Sequence, residues 1–146
     1  MSQQKDGKAV STISIRYMID DVPAAVNFYM TYLGFALELD ASPAFAAVSR
    51  DGIRLLLSGA TSSGRRAMPD GRKPVPGGWN RIQIQVEDLE AEVKRLCNAG
   101  LKFRNEIIQG PGGAQILLDD PSGNPVELFE PASSSGAPDK GKPSGK

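Results

Sequence analysis

The chain has 146 residues, 40% of them hydrophobic, enough for one domain with a real core and ordinary for a soluble globular protein. Seventeen basic residues balance seventeen acidic ones, so nothing global favours nucleic acid or a membrane as partner, and no apolar run approaches the roughly 20 residues needed to cross a bilayer. Histidine is absent, which removes the commonest transition-metal ligand and the usual acid–base group near neutral pH. The opening residues lack the apolar core of a signal peptide, and one cysteine permits no internal disulfide. Both fit a cytoplasmic location, which is the expectation.

Residues 1–10 are polar and read as a flexible N-terminus. Residues 11–19 alternate, with Ile13, Ile15, Tyr17 and Ile19 on one face and Ser14, Arg16 and Met18 on the other, which predicts a strand with one packed face. Asp20-Asp21 supplies an N-cap and Pro23 suits a first helical turn. Val22, Val26, Tyr29, Met30 and Leu33 then recur at helical spacing until Gly34. Phe28 and Tyr29 read as helix packing. Three strands are predicted next, at Phe35–Leu39, Phe45–Arg50 and Ile53–Ser58, the last pair joined by Asp51-Gly52.

From 59 to 78 the composition turns to Gly, Ser, Pro and Arg, and the stretch reads as a linker loop. Its Arg65-Arg66 and Arg72-Lys73 pairs suit either a solvated basic loop or a lid that closes over an anionic or polar ligand. The opening pattern then returns. Ile82, Ile84 and Val86 alternate with Arg81, Gln83 and Gln85, and Asp88 caps a helix with the stripe Leu89, Val93, Leu96 and Cys97, ended by Gly100. Cys97 on that stripe is expected to be packing only. Strands at Lys102–Ile107 and Ala114–Leu118 follow. The halves form an internal repeat, with Asp21 and Asp88 heading equivalent helices 67 positions apart. The predicted organisation is α+β: a first βαβββ module at 11–58, the linker at 59–78, a second module at 79–131 and a disordered tail at 132–146.

The second module closes on Asp119-Asp120-Pro-Ser-Gly-Asn-Pro-Val-Glu127-Leu-Phe129-Glu-Pro131, a strand, a tight turn and a strand with Glu127 on one face. Together with Asp-x-x-x-Ala-x-x-Phe-Tyr-x-x-x-Leu-Gly-Phe at 21–35, this hairpin closely resembles the vicinal oxygen chelate superfamily of glyoxalases, bleomycin resistance proteins and dioxygenases. The resemblance spans about residues 11–131. It implies two modules forming a cupped mixed sheet, pairing of chains as a homodimer, and, in metal-dependent members, a metal on the sheet face opposite the helices.

The residues at those implied ligand positions are Ser14 on the first strand, Arg81 on its counterpart, one of Leu55-Leu56-Leu57, and Glu127. Only Glu127 is a donor of the expected kind, and a guanidinium at a ligand position repels a cation. No metal and no other cofactor is therefore expected. Glu127 can pair with Arg81 or Arg16, accept a hydrogen bond from a ligand, or both. The resemblance then favours the metal-independent binding members, which sequester a drug and catalyse nothing. Candidate ligand-binding residues are Ser14, Arg16, Phe45, Trp79, Arg81, Gln83, Phe103, Glu127 and Phe129, with Trp79 either stacking on a planar ligand or plugging the core at the sheet edge. The expected partner is an aromatic or hydrophobic small molecule, such as a bleomycin-like or other DNA-damaging antibiotic. Two other functions stay open. One is a lyase, isomerase or dioxygenase-like enzyme using Glu127, its only candidate catalytic residue. The other is a regulatory or scaffolding module whose cup is filled by its own side chains.

Overall fold

The computed structural model describes residues 13–133, so the expected flexible N-terminus and disordered tail fall largely outside it. The described residues divide into two compact units, one ending at Pro76 and one beginning at Gly77. Each contains one helix and a four-stranded mixed sheet, an α+β architecture repeated along the chain.

The first unit runs β1 (Ser14–Met18), α1 (Val22–Leu33), β2 (Ala36–Ala41), β3 (Phe45–Arg50) and β4 (Ile53–Ser58), followed by a 3-10 turn at Ser63–Arg65. Its sheet order is β1-β4-β3-β2, with β1 and β4 parallel and the other pairs antiparallel. Asp51 and Gly52 both take positive φ, as a two-residue hairpin turn requires. Asp21 caps α1 by accepting from the Ala24 N–H, and Gly34 closes it in the left-handed conformation. The Phe35 N–H bonds back to the Tyr29 carbonyl. Phe35 thus completes the helix cap instead of opening the next strand, which begins one residue later than predicted and extends to Ala41.

The buried face of α1 carries Val22, Ala25, Phe28, Tyr29 and Leu33. Val26 is only half-buried and Met30 is exposed, against expectation. The two candidate arcs straddle Tyr29, and hydropathy alone cannot choose between them. Aromatic packing does: Phe28 meets Tyr29 edge-on at 5.1 Å, and Tyr29 meets Phe35 at 5.5 Å. Ile13, expected on the packed face of β1, stands exposed ahead of the strand.

The second unit runs β5 (Ile82–Gln85), α2 (Leu89–Asn98), β6 (Ile108–Gly110), β7 (Gly113–Asp119) and β8 (Pro125–Pro131), in sheet order β5-β8-β7-β6. Asp88 caps α2 through the Ala91 N–H, and Glu130 at the end of β8 accepts from the Leu89 N–H. Two of the helix's first N–H groups are thereby satisfied, and both carboxylates sit at the positive end of the helix dipole. Leu89 and Leu96 are the buried residues of α2, and Cys97, expected to be packing, is exposed. One residue beyond Leu96 it has turned about 100° away from the sheet.

Lys102–Ile107 does not form the predicted strand; only Phe103 makes a bridge, to Leu118. The Arg104 N–H donates to the Leu117 carbonyl, while the Leu117 N–H donates to the side-chain oxygen of Asn105. A side-chain amide takes the place of a ladder carbonyl, and regular pairing waits until Ile108. Among the described residues, no helix is long and apolar enough to cross a membrane.

Candidate functional site

Register sorts the second sheet into two faces. Ile82, Ile84, Ala114, Ile116, Leu118, Val126 and Leu128 are buried on the side of α2. The opposite face is read in rows. Gln83 pairs with Glu127, which pairs with Leu117; Gln85 pairs with Phe129, which pairs with Gln115. Beyond Gln83, at the strand's entry, Arg81 completes this face.

Glu127 is 6% exposed and anchors the face. Arg81 donates from Nε at 3.0 Å and from Nη2 at 2.9 Å, both to Oε1. Gln83 donates from Nε2 to Oε2 at 2.7 Å. Both carboxylate oxygens are occupied by donors from the neighbouring strand, the condition under which a charge tolerates burial. The Arg81 pairing is one of the two arrangements anticipated for Glu127. The geometry is legible in retrospect, since parallel pairing of β5 with β8 sets Gln83 directly opposite Glu127.

Trp79 does not plug a core. It is 72% exposed, and the Arg104 guanidinium lies 5.1 Å from its ring centroid. Arg104 is in turn held by the Asp119 carboxylate and by the Gly123 carbonyl at 3.1 Å. The backbone on either side of Trp79 is fixed as well. The Gly77 N–H donates to Asn124 Oδ1 at 2.8 Å, and Arg81 Nη1 donates to the Trp79 carbonyl at 3.2 Å. Asn124 belongs to the turn nucleated by the buried Asp120, which accepts from the Ser122 and Asn124 N–H groups and from Asn124 Nδ2. The closing hairpin therefore also positions the aromatic ring. Arg104, Asp119 and Asn124 were not anticipated as site residues. The Asp-Pro-Ser-Gly-Asn turn was legible, but nothing local to Arg104 points to partners at positions 79, 119 and 123.

Of the remaining candidates, Phe129 lies on the Glu127 face, half-buried. Phe103 pairs with Leu118, on the helix side of the sheet, and does not stand beside Glu127. Ser14, Arg16 and Phe45 belong to the first unit. There Arg16 Nη1 donates to the buried Ser58 hydroxyl at 2.7 Å, and the guanidinium lies against Gly64 so closely that an added Cβ would meet it at 2.5 Å. Arg65, considered as a solvated or lid cation, is neither. Its Nη1 donates to the Ile19 carbonyl at 2.8 Å and its Nε to the Pro74 carbonyl at 2.9 Å, which fastens the loop to its own unit.

The two sheets also settle which leucine matches Glu127. Gln83, five residues before the cap Asp88, pairs with Glu127; Arg16, five residues before the cap Asp21, pairs with Leu56. At the positions the resemblance implies for a metal, the first unit thus offers a hydroxyl (Ser14) and an alkyl group (Leu56), and the second a guanidinium (Arg81) and a carboxylate with both oxygens engaged (Glu127). Neither pair fits a divalent cation. Among the described residues, no group of three or more His, Cys, Asp or Glu side chains is placed to hold one either.

Comparison with known proteins agrees with this fold. A crystal structure from Sphaerobacter thermophilus DSM 20745, described as a member of the glyoxalase/bleomycin resistance protein/dioxygenase superfamily, is 26% identical, with a TM-score of 0.66 over 84% of this chain and 98% of its own. Lactoylglutathione lyase from Agrobacterium tumefaciens is 21% identical, with a TM-score of 0.64 over 86% of this chain and 96% of its own. TnmS3, an antibiotic binding protein from Streptomyces sp. CB03234, is 23% identical, with a TM-score of 0.64 over 86% of this chain and all of its own. No curated protein matches the chain. The family profile matches residues 13–128, and the chain belongs to the Glyoxalase/Bleomycin resistance protein/Dioxygenase superfamily.

Proposed function

We propose that this protein is a metal-independent small-molecule-binding protein that sequesters a hydrophobic or aromatic natural product, in the manner of antibiotic resistance. The observation that carries this reading is the closed Arg81–Glu127–Gln83 set. A carboxylate holding three hydrogen bonds from its own sheet is a fixed recognition surface, and it would have to surrender them to ligate a metal or to take a proton from a substrate. Similarity to an antibiotic binding protein is in keeping with this, while similarity to a lyase at the same TM-score keeps enzymatic turnover as the outcome to be tested against. A homodimer is part of the proposal.

The test is calorimetry on metal-stripped protein, first with zinc, nickel, manganese and anaerobic ferrous iron, then with bleomycin and planar aromatic antibiotics, with each mixture analysed for chemical change. The expected result is no metal bound tighter than about 1 μM, roughly −8 kcal/mol, and saturable binding of an unaltered aromatic compound. Stoichiometric metal binding, or turnover lost in Glu127→Gln, would overturn it in favour of an enzyme.

A further inference from the structure

We propose that Trp79, backed by Arg104, is a one-sided stacking platform for a planar, neutral or anionic aromatic ligand carrying a hydrogen-bond acceptor that Arg81 receives. This rests on the binding reading above and names its ligand class.

Scattered exposed apolar side chains are normal on protein surfaces and require no explanation. Trp79 differs in being fixed while exposed. Asn124 holds the chain before it, Arg81 holds its carbonyl, and Arg104 lies over its ring. A ring ordered before the ligand arrives spares the association that entropy cost. With Arg104 over one face, the other is the face left for stacking.

Charge narrows the class. The two guanidiniums that touch Trp79, Arg104 at its ring and Arg81 at its carbonyl, are each paired with a carboxylate, Asp119 and Glu127, so neither carboxylate is left over to attract a cation. A cationic ring would also lie across the indole from the Arg104 guanidinium, and the two like charges repel. Hydrogen-bond capacity narrows it further. A guanidinium has five N–H groups; Arg81 directs one from Nε, one from Nη2 and one from Nη1 to Glu127 and Trp79, which leaves two for a ligand acceptor. Gln83 must turn its NH2 to the Glu127 carboxylate, so its carbonyl oxygen is left to receive a ligand hydroxyl or amine next to that acceptor.

Trp79 is the chain's one tryptophan, so intrinsic indole emission reports on this platform alone. The full chain is titrated with anthraquinone-2-sulfonate, a planar acceptor-bearing anion, and with proflavine, a planar cation, by Trp79 emission and by calorimetry in parallel. The expected result is saturable quenching by the anthraquinone, at least ten-fold tighter than any binding of proflavine. Trp79→Ala abolishes the calorimetric signal, and Arg104→Ala and Arg81→Lys each weaken it about five-fold. Trp79→Phe, which keeps a stacking face, restores most of it. Calorimetric binding that leaves Trp79 emission unchanged, or that survives in Trp79→Ala, overturns the platform while the binding reading stands. Equal affinity for proflavine overturns the ligand class. Failure of the anthraquinone and of every aromatic antibiotic to bind overturns both the inference and the reading beneath it.

Discussion

Arg81 directs Nε and Nη2 at the same oxygen of Glu127, at 3.0 and 2.9 Å, and leaves the second oxygen to Gln83. The bond network ties β5 to β8 on the face away from α2. It also keeps a nearly buried carboxylate satisfied without a metal. Arg81→Met strands that carboxylate. Breaking one side of a buried ion pair costs about 3–5 kcal/mol, and because Arg81 is 28% exposed on its side chain the expected loss is nearer 2 kcal/mol after discounting for solvent. Arg81→Met/Glu127→Met, which removes both charges, is expected to recover at least half of it. Urea midpoints of the single and double variants check the cycle.

Asp120 is expected to matter more than its place in a surface turn suggests. It is 4% exposed and accepts from three N–H donors within the turn. Asp120→Ala removes that acceptor, at an expected cost of about 2–3 kcal/mol. Asn124→Ala costs less, but it frees the Gly77 N–H and loosens the approach to Trp79. The readout is Trp79 anisotropy, which should fall in Asn124→Ala at a temperature where circular dichroism still shows a folded protein. Unchanged anisotropy would mean that Arg104 alone holds the ring.

Gly59 sits where β4 leaves the first sheet, and a Cβ there would lie 2.6 Å from the Pro43 carbonyl and 2.8 Å from that of Ala44. Backbone cannot swing aside as a long side chain can. Gly59→Ala should therefore destabilise by about 2–3 kcal/mol, whereas Gly112→Ala, with open space around it, should be close to neutral. Thermal denaturation of the two variants separates them.

Glu38 on the edge strand β2 titrates below its ordinary value of 4.5, held there first by the Ser49 hydroxyl and then by Arg54 at 2.8 Å. A carboxyl whose folded pKa is depressed contributes stability above its unfolded pKa and loses it as pH falls through the folded value. The group is solvent-exposed, so the consequence is expected in its titration more than in global stability. Side-chain NMR should place the Glu38 midpoint below 4.5, and Ser49→Ala should raise it.

The repeat was legible because caps and periodicity are local properties. Asp21 and Asp88 each bond an N–H three residues on, Gly34 needs a positive φ, and Asp51-Gly52 makes a two-residue turn whatever lies beyond it. Two strands, Phe45–Arg50 and Ile53–Ser58, have the predicted bounds. The errors fall where side-chain packing or a more distant partner decided. Asn105 replaced a ladder carbonyl and displaced a strand, the aromatic contacts of Tyr29 with Phe28 and Phe35 fixed the buried arc of α1, and Arg65 found the Ile19 carbonyl, 46 residues away.

The same division runs through the site. Chain chemistry alone determined that histidine is absent, that Glu127 stands on an alternating strand and that Arg81 and Gln83 share one face. Those are matters of composition and of a two-residue period. Only the tertiary structure decided that Glu127 spends both oxygens on Arg81 and Gln83, that Leu56 is its counterpart in the first unit, and that Trp79 rests on Arg104 in the open. Each depends on the register between strands distant in sequence, or on which of several side chains reaches an acceptor first. Such contacts are set by packing and hydrogen-bond satisfaction across the fold, and no local pattern encodes them.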